Sequence, residues 1–328
     1  MKRIIVIALV GLLLVNAAVF AAGQAGGQAG GAQYPARNIT MICPWAAGGG
    51  TDAVARIIAT LMQNELNVPV NVVNRDGGGG VVGHQAILSA RPDGYTIGIG
   101  TVEMAQLHWM GLTTFKPADF APIGGLNVDS AAITVPADKW NSYAAMMEEI
   151  RPNAGKFTAS GTAVGGIWHL AMANWLIGEK LAPDHVRWIP QAGAAPAQQE
   201  MMAGGITMVT CSLAEVSALV DAGRAKVLAY MGEERSPRYP DVPTLKELGV
   251  PVTVGTWRGV FAPKGVPADI MRKLEETVAK AAASKEFSDF MNSRGFGIHF
   301  LNAKEWGEFV VHSDEQFGPV MKAAGLAQ

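Results

Sequence analysis

Two stretches of this 328-residue sequence combine small residues, polar residues and apolar flanks in a way that can hold an anion. Pro44-Trp45-Ala46-Ala47-Gly48-Gly49-Gly50-Thr51-Asp52 lies between an apolar run, Ile39 to Cys43, and an amphipathic run that starts at Ala53. Ser160 to Gly166 has the same context further on. A strand, a glycine loop and a helix in succession present unpaired backbone N–H groups and the positive end of the helix dipole. One such loop is most simply a turn; two in successive units point to an anion cleft. The first loop lacks the Lys-Ser/Thr of a Walker loop and is not G-x-G-x-x-G with a downstream acid, so nucleotide binding has little support.

Residues for catalysis are sparse. The six histidines, His84, His108, His169 and His185 among them, form neither H-E-x-x-H nor a close cluster, so no metal site is expected. Ser160-Gly161-Thr162 is not a G-x-S-x-G elbow. Glu103 and His169 are the nearest approach to an acid–base pair, and they are unconvincing. His169, one turn into its helix, suits packing as well as ligand contact. Trp45 and Trp257, beside glycine turns, are better candidates for a site wall than Trp168, Trp175 and Trp188, which read as core. Asp52 reads as a helix cap. No catalytic residue and no cofactor is expected.

The elements that would position these loops alternate in type. Ile39–Cys43, Val70–Val73, Tyr95–Gly100 and Ala131–Val135 read as strands. After the first loop, Val54, Ile57, Ile58, Leu61 and Met62 make an apolar stripe at helical spacing, with Thr51 or Asp52 as its N-cap. Asn74 to Gly80 is a further glycine loop opening a helix near Val81, and Arg91-Pro92-Asp93-Gly94 is a turn. Met104 to Met110 is expected to be helical, and Phe120 to Ile123, with Pro122, irregular or at an edge. The pattern then repeats, from strand Lys156–Ser160 and helix Ile167–Ile177 to strand Lys226–Tyr230. Val252–Val254 and Gly259–Phe261 flank Gly255-Thr256-Trp257-Arg258, read as a return crossing. The remainder reads as helical, broken by a short strand at Gly297–Phe300. Such alternation gives α/β layers over mainly parallel sheets.

Length favours two domains, and a composition 49% hydrophobic and 16% charged suits a large core. Lys2 and Arg3, an apolar run from Ile4 to Val15 and small residues around Ala17 to Ala22 follow the order of a secretory signal peptide, cleaved near Ala21-Ala22. Residues 1–22 are therefore expected to be removed, and 23–33, rich in Gly, Ala and Gln, to be a flexible linker. The formal net charge is −2 and no basic run follows the N-terminus, so nucleic-acid binding has no electrostatic support. Cys43 and Cys211 each end an expected buried strand, which favours free thiols; an oxidising compartment leaves a bridge open.

Taken together, the motifs resemble one family, the periplasmic solute-binding proteins of tripartite tricarboxylate transporters, or Bug-type receptors. The likeness runs from Tyr34-Pro35 to Gly325. Pro44 to Asp52 matches the family's P-[FW]-x-A-G-G-x-[ST]-D, and Asn74 to Gly80 is similar to its N-R-x-G-x-G-G. Pro92-Asp93-Gly94-Tyr95-Thr96 matches P-D-G-Y-T, and Arg235-Ser236-Pro237 with Pro240 to Thr244 matches R-S-P…P-D-V-P-T. The resemblance implies an α/β, two-lobed periplasmic binding protein fold, type II-like, each lobe a mainly parallel sheet flanked by helices and the two joined by crossing strands. Lobe 1 would comprise 34–130 plus 256–328 and lobe 2 would comprise 131–255.

It also implies a grip on a carboxylate by backbone amides of Ala47, Gly48, Gly49, Gly50 and Thr51 and of Ser160, Thr162, Gly165 and Gly166. Trp45, Thr101, Glu103, His169, Gln191, Cys211, Trp257 and Arg258 complete the expected surroundings. Two departures bear on the ligand. Cys211-Ser212 stands where amino-acid-binding members carry Asp, and Ile189-Pro190-Gln191-Ala192-Gly193 replaces V-P-Y-K-G, so an organic acid without an amine is expected. Arg258 would either neutralise a second carboxylate or form a surface ion pair. The expected partners are a small di- or tricarboxylate or aromatic acid and the membrane subunits of the transporter, served by a periplasmic monomer. Two alternatives share the cleft: a sensor presenting its closed form to a membrane kinase, and a secreted α/β enzyme acting on carboxylates.

Overall fold

The computed structural model describes residues 34–327. The expected signal peptide, 1–22, and linker, 23–33, lie outside the described residues. Two sheets organise the chain from Arg37 onward. The first contains β1 (Ile39–Cys43), β2 (Val70–Asn74), β3 (Thr96–Thr101), β4 (Phe120–Ser130), β10 (Gly255–Pro263) and β11 (Ile298–Asn302), in the order β11-β4-β10-β3-β1-β2. The second contains β5 (Ala132–Pro136), β6 (Thr158–Ser160), β7 (Arg187–Trp188), β8 (Met208–Val209) and β9 (Ala225–Tyr230), in the order β7-β6-β8-β5-β9.

Helices α1 (Gly50–Leu66), α2 (Val81–Leu88), α7 (Ala268–Ala282), α8 (Lys285–Arg294) and α9 (Ala303–Ala323) accompany the first sheet. Helices α3 (Tyr143–Ile150), α4 (Ile167–Gly178), α5 (Ala194–Met202) and α6 (Leu213–Asp221) belong to the part of the chain that carries the second. Among the described residues no helix is long and apolar enough to cross a membrane.

The two-lobed α/β architecture expected from the sequence is present, but its sheets are mixed. The pairs β1–β2, β1–β3, β6–β7 and β6–β8 are parallel, whereas β3–β10, β10–β4, β4–β11, β8–β5 and β5–β9 are antiparallel. The reason is the crossing. The chain leaves the first sheet along β4 into β5, and β10 brings it back beside β4, so outgoing and returning strands must run antiparallel.

Three local expectations are corrected, in whole or in part. Phe120 to Ile123 is irregular and edge-like as expected, since it carries a bulge and β11 pairs only with Gly124 to Asn127, but it is the start of the 11-residue strand β4 and not a separate segment. Pro122 is tolerated there because Val260 pairs with Gly124 and Phe261 with Pro122, leaving Ile123 as a bulge. The return crossing read at Gly255-Thr256-Trp257-Arg258 is present, but it is itself strand: β10 runs through it unbroken, and Val252–Val254 lies outside the strand. Met104 to Met110 gives only a 3-10 turn, Val102–Ala105, followed by turns, because this stretch packs under α9 rather than forming a surface helix.

The core holds large apolar side chains under both sheets. Trp306 of α9 is 1% exposed and seats against Gly259, where a Cβ would stand 2.4 Å from the indole. Burial of one such aromatic contributes about 2–3 kcal/mol. Cys43 and Cys211 are free and buried, and burial pushes the Cys43 thiol up to about 12, so it stays protonated and inert.

Candidate functional site

Helix starts set the chemistry of the cleft between the lobes. Helices α3, α6, α8 and α9 begin at Ser142, Ser212, Ser284 and Asn302, whose side chains each accept a first-turn amide. The other five have no side-chain cap: α7 begins at Pro267 and α2 at Gly80, both away from the cleft described next, and three more also begin at glycine. The N-caps of α1, α4 and α5 are Gly49, Gly166 and Gly193, with no side-chain cap. Their first-turn amides have no acceptor earlier in the helix and no cap of their own. All three starts meet at one cleft, lined by Gly49, Gly50 and Thr51, by Ile167 and Trp168, and by Gly193 and Ala194. The N-cap of α1 is thus Gly49 and not Thr51 or Asp52; both of those residues lie inside the helix.

Asp52 instead turns back as a brace. Its carboxylate accepts the Gly48 N–H at 3.0 Å, Arg56 Nε at 2.9 Å and Asn74 Nδ2 at 2.9 Å. Burial alone would raise this carboxyl, but those three donors outweigh it and hold it below the usual carboxylate range. The brace fixes the loop, and it takes the Gly48 amide away from any ligand.

On the first-lobe wall, Trp45 Nε1 donates to Thr101 Oγ1 at 3.3 Å, and the Thr101 hydroxyl donates to Glu103 Oε2 at 2.6 Å. The backbone N–H of Thr101 is directed at His84 Nε2, 3.3 Å away. Burial drives His84 down to about 3, so it is a neutral acceptor at pH 7. Glu103 Oε1 reaches across the cleft to accept the Ile167 N–H at 3.2 Å.

Arg258 is neither at the surface nor free for a ligand. It is 2% exposed and donates to Thr51 Oγ1 at 3.0 Å, Asp129 Oδ2 at 2.6 Å and Glu215 Oε1 at 3.1 Å. Burial pushes Glu103, Asp129 and Glu215 upward, and Arg258 opposes the rise at each. The cavity left among these groups is about 20 Å³, about what a water or two needs.

Of the residues expected from the sequence, Trp45, Gly49, Gly50, Thr51, Thr101, Glu103, Thr162 and Arg258 line this cleft. The others stand outside its wall. Ala47 is exposed, and the Gly48 amide faces Asp52. Ser160 is buried and donates its hydroxyl to Ile189 O. Gly165 donates its N–H to His169 Nδ1 at 3.0 Å, and Gly166 donates to Ala163 O at 3.2 Å. His169 therefore braces the loop and packs on Trp188, with ring centroids 4.9 Å apart. Gln191 bonds through its backbone to Thr162 O, and Cys211 is buried behind the start of α6. Trp257 is core: it packs edge-on against Trp306 and donates to Ser313 Oγ at 2.9 Å. Trp168, read as core, is buried in the core and also lines the cleft.

Sequence reasoning missed Ala46, Ile167, Gly193, Ala194, Glu215 and Thr256. A signal existed for Glu215, since Ser212-Leu213-Ala214-Glu215 spells a capping box, and that box is present in the fold. Nothing in the spacing says that Glu215 also faces Gly50, where a Cβ would meet Glu215 Cγ at 2.6 Å.

Known proteins share this architecture. A family model described as the tripartite tricarboxylate transporter family receptor matches residues 54–326. The chain is 31% identical over 267 residues to a UPF0065 protein in the tcbD-tcbE intergenic region of Pseudomonas sp. (strain P51), covering 80% of this chain and 79% of that one. It is 33% identical to a TctC solute-binding protein from Polaromonas, solved with no ligand, over 88% of this chain and 99% of that one, with a TM-score of 0.64. It is 28% identical to the periplasmic binding protein BugD, over 90% of this chain and 99% of that one, with a TM-score of 0.83.

Proposed function

This chain belongs to the tripartite tricarboxylate transporter receptor family, and from that premise we propose that it captures a small organic carboxylate outside the cytoplasm. On this reading it delivers a di- or tricarboxylate, or an aromatic acid, to the membrane subunits of a tripartite tricarboxylate-type transporter, and performs no chemistry on it. The observation that carries the proposal is the convergence of three glycine-capped helix N-termini, α1, α4 and α5, on one cleft from both lobes. Amides and helix dipoles aimed at one point suit an anion and need no cationic side chain, and the family membership is what favours a carboxylate among such anions. Arg258, held by Asp129 and Glu215, organises the site rather than meeting the ligand.

Lobe 1 then comprises 34–130 plus 256–328 and lobe 2 comprises 131–255. The proposed contacts are Gly49, Gly50, Thr51, Thr101 and Thr162, with Trp45 as a wall. Affinity near micromolar, about 8 kcal/mol, is ordinary for such capture. Periplasmic location and a monomeric state belong to the same proposal.

A thermal-shift screen tests it, because a ligand that binds only the native state raises its apparent stability. Organic acids are expected to raise the melting temperature and sugars are not. A shift with sugars alone would refute the carboxylate reading. Turnover of an acid by the purified protein, lost in Glu103→Gln, would refute the binding-only part.

A further inference from the structure

The closed cleft is already bridged by two of the protein's own carboxylates, and their bonding is reciprocal. Glu103 belongs to the turn that follows β3 in the first lobe. One of its oxygens is held at home by the Thr101 hydroxyl, at 2.6 Å, and the other takes the first amide of α4 in the second lobe, Ile167 N–H, at 3.2 Å. Glu215 belongs to α6 in the second lobe. One of its oxygens is held at home by the Ser212 N–H, at 3.2 Å, and the other takes Arg258 Nη2 of β10, at 3.1 Å. Its side chain lies against Gly50, the first residue of α1. Each lobe thus places a carboxylate at a helix start or cation of the other, where the amides are otherwise uncapped.

Structural carboxylates that merely cap their own helix, as Glu305 does for α9, need no oxygen across a cleft. Glu103 is 2% exposed and the Glu215 side chain 5%, and each splits its two oxygens between lobes. We propose that Glu103 and Glu215 are a built-in latch that holds the two lobes together, Glu103 by occupying the first amide of α4 and Glu215 by pairing with Arg258. A ligand then enters by replacing Glu103 at the Ile167 amide, not by filling an empty site. The inference rests on this cleft being the binding site, as proposed above, but not on the class of ligand.

The test reads lobe separation with no ligand added. Nitroxide labels at Asn64→Cys on α1 and Glu148→Cys on α3, both exposed positions, report the distance by pulsed electron–electron double resonance. Cys43 and Cys211 are fully buried and do not label. The parent protein is expected to give a predominantly short distance. Glu103→Ala with Glu215→Ala is expected to lower the closed-to-open ratio by about tenfold for each carboxylate, the worth of a charge-assisted hydrogen bond. Glu103→Gln with Glu215→Gln keeps the side-chain shapes and is expected to lower the ratio in the same direction if the alanine pair does not fold. An unchanged distance distribution in whichever folded pair is measured overturns the latch. A parent protein that is already open overturns it as well. Because no ligand is present, a failed acid screen and a failed latch are separate results.

Discussion

Arg258→Met removes a guanidinium that is 2% exposed and leaves its partners Asp129 and Glu215 buried without their common cation. Methionine fills much of the aliphatic stem, so the cost is mainly electrostatic. Removing one partner of a buried ion pair costs about 3–5 kcal/mol. Asp129 keeps the Gly297 N–H and Asn127 Nδ2, and Glu215 keeps the Ser212 N–H, which places the effect at the lower end. About 3 kcal/mol in a chain of this size lowers the melting temperature by about 5 °C at pH 7.5. The pH dependence is the sharper signature. Burial already raises both carboxyls, and Arg258 is what pulls them down. Without it their folded-state pKa values climb further above the unfolded ones. The folded variant then holds more protons than the unfolded chain, so its stability rises as pH falls through those raised values. Calorimetric melting of parent and variant should therefore show a gap that narrows between pH 7.5 and pH 5. A gap below about 1 kcal/mol, the scale of an exposed pair, or one independent of pH, would refute the buried-cluster account.

Other perturbations probe other links. His84, with its pKa lowered to about 3 by burial, must stay neutral to fold. Its contribution is complete above the unfolded value and declines as pH falls below it, by about 2 kcal/mol at pH 5; His84→Gln should remove that slope from a pH series of melts. Gly49→Pro suits the observed φ of −81° and should spare the melting temperature while weakening an acid found in the screen by about tenfold or more, read by calorimetry. Gly259→Ala would drive a Cβ to 2.4 Å from Trp306 and 2.6 Å from Gly124 O, so urea unfolding should show a loss of about 1–3 kcal/mol.

Much of this architecture is legible in local sequence. Ile39–Cys43 forms a strand because apolar and β-branched residues follow one another without a breaker, and Val70–Asn74 because its three valines favour extended backbone despite two Asn. Helix α1 follows its stripe of Val54, Ile58 and Met62, all of them buried. The glycine loop before it was readable as an anion-compatible junction for the same local reason. Pro122 correctly marked an irregular, edge-like stretch, but that this stretch is strand was not legible, because its partner β10 lies more than a hundred residues later. Met104 to Met110 misled because helical spacing does not distinguish a surface helix from turns buried under α9.

By itself the sequence determined the repeating strand–loop–helix units, the glycines at their junctions and the family likeness, since these depend on residues close together in the chain. Only the tertiary structure decided which junctions share a cleft, because Gly49, Gly166 and Gly193 meet through sheet order and not through spacing. It alone turned Arg258 from a free cation into the partner of Asp129, Glu215 and Thr51, at sequence separations of 129, 43 and 207 residues. It alone set Glu103 against the first amide of α4, 64 residues away. Local propensity acts over a few residues, whereas charge pairing in a buried cleft is settled by which elements the core brings together.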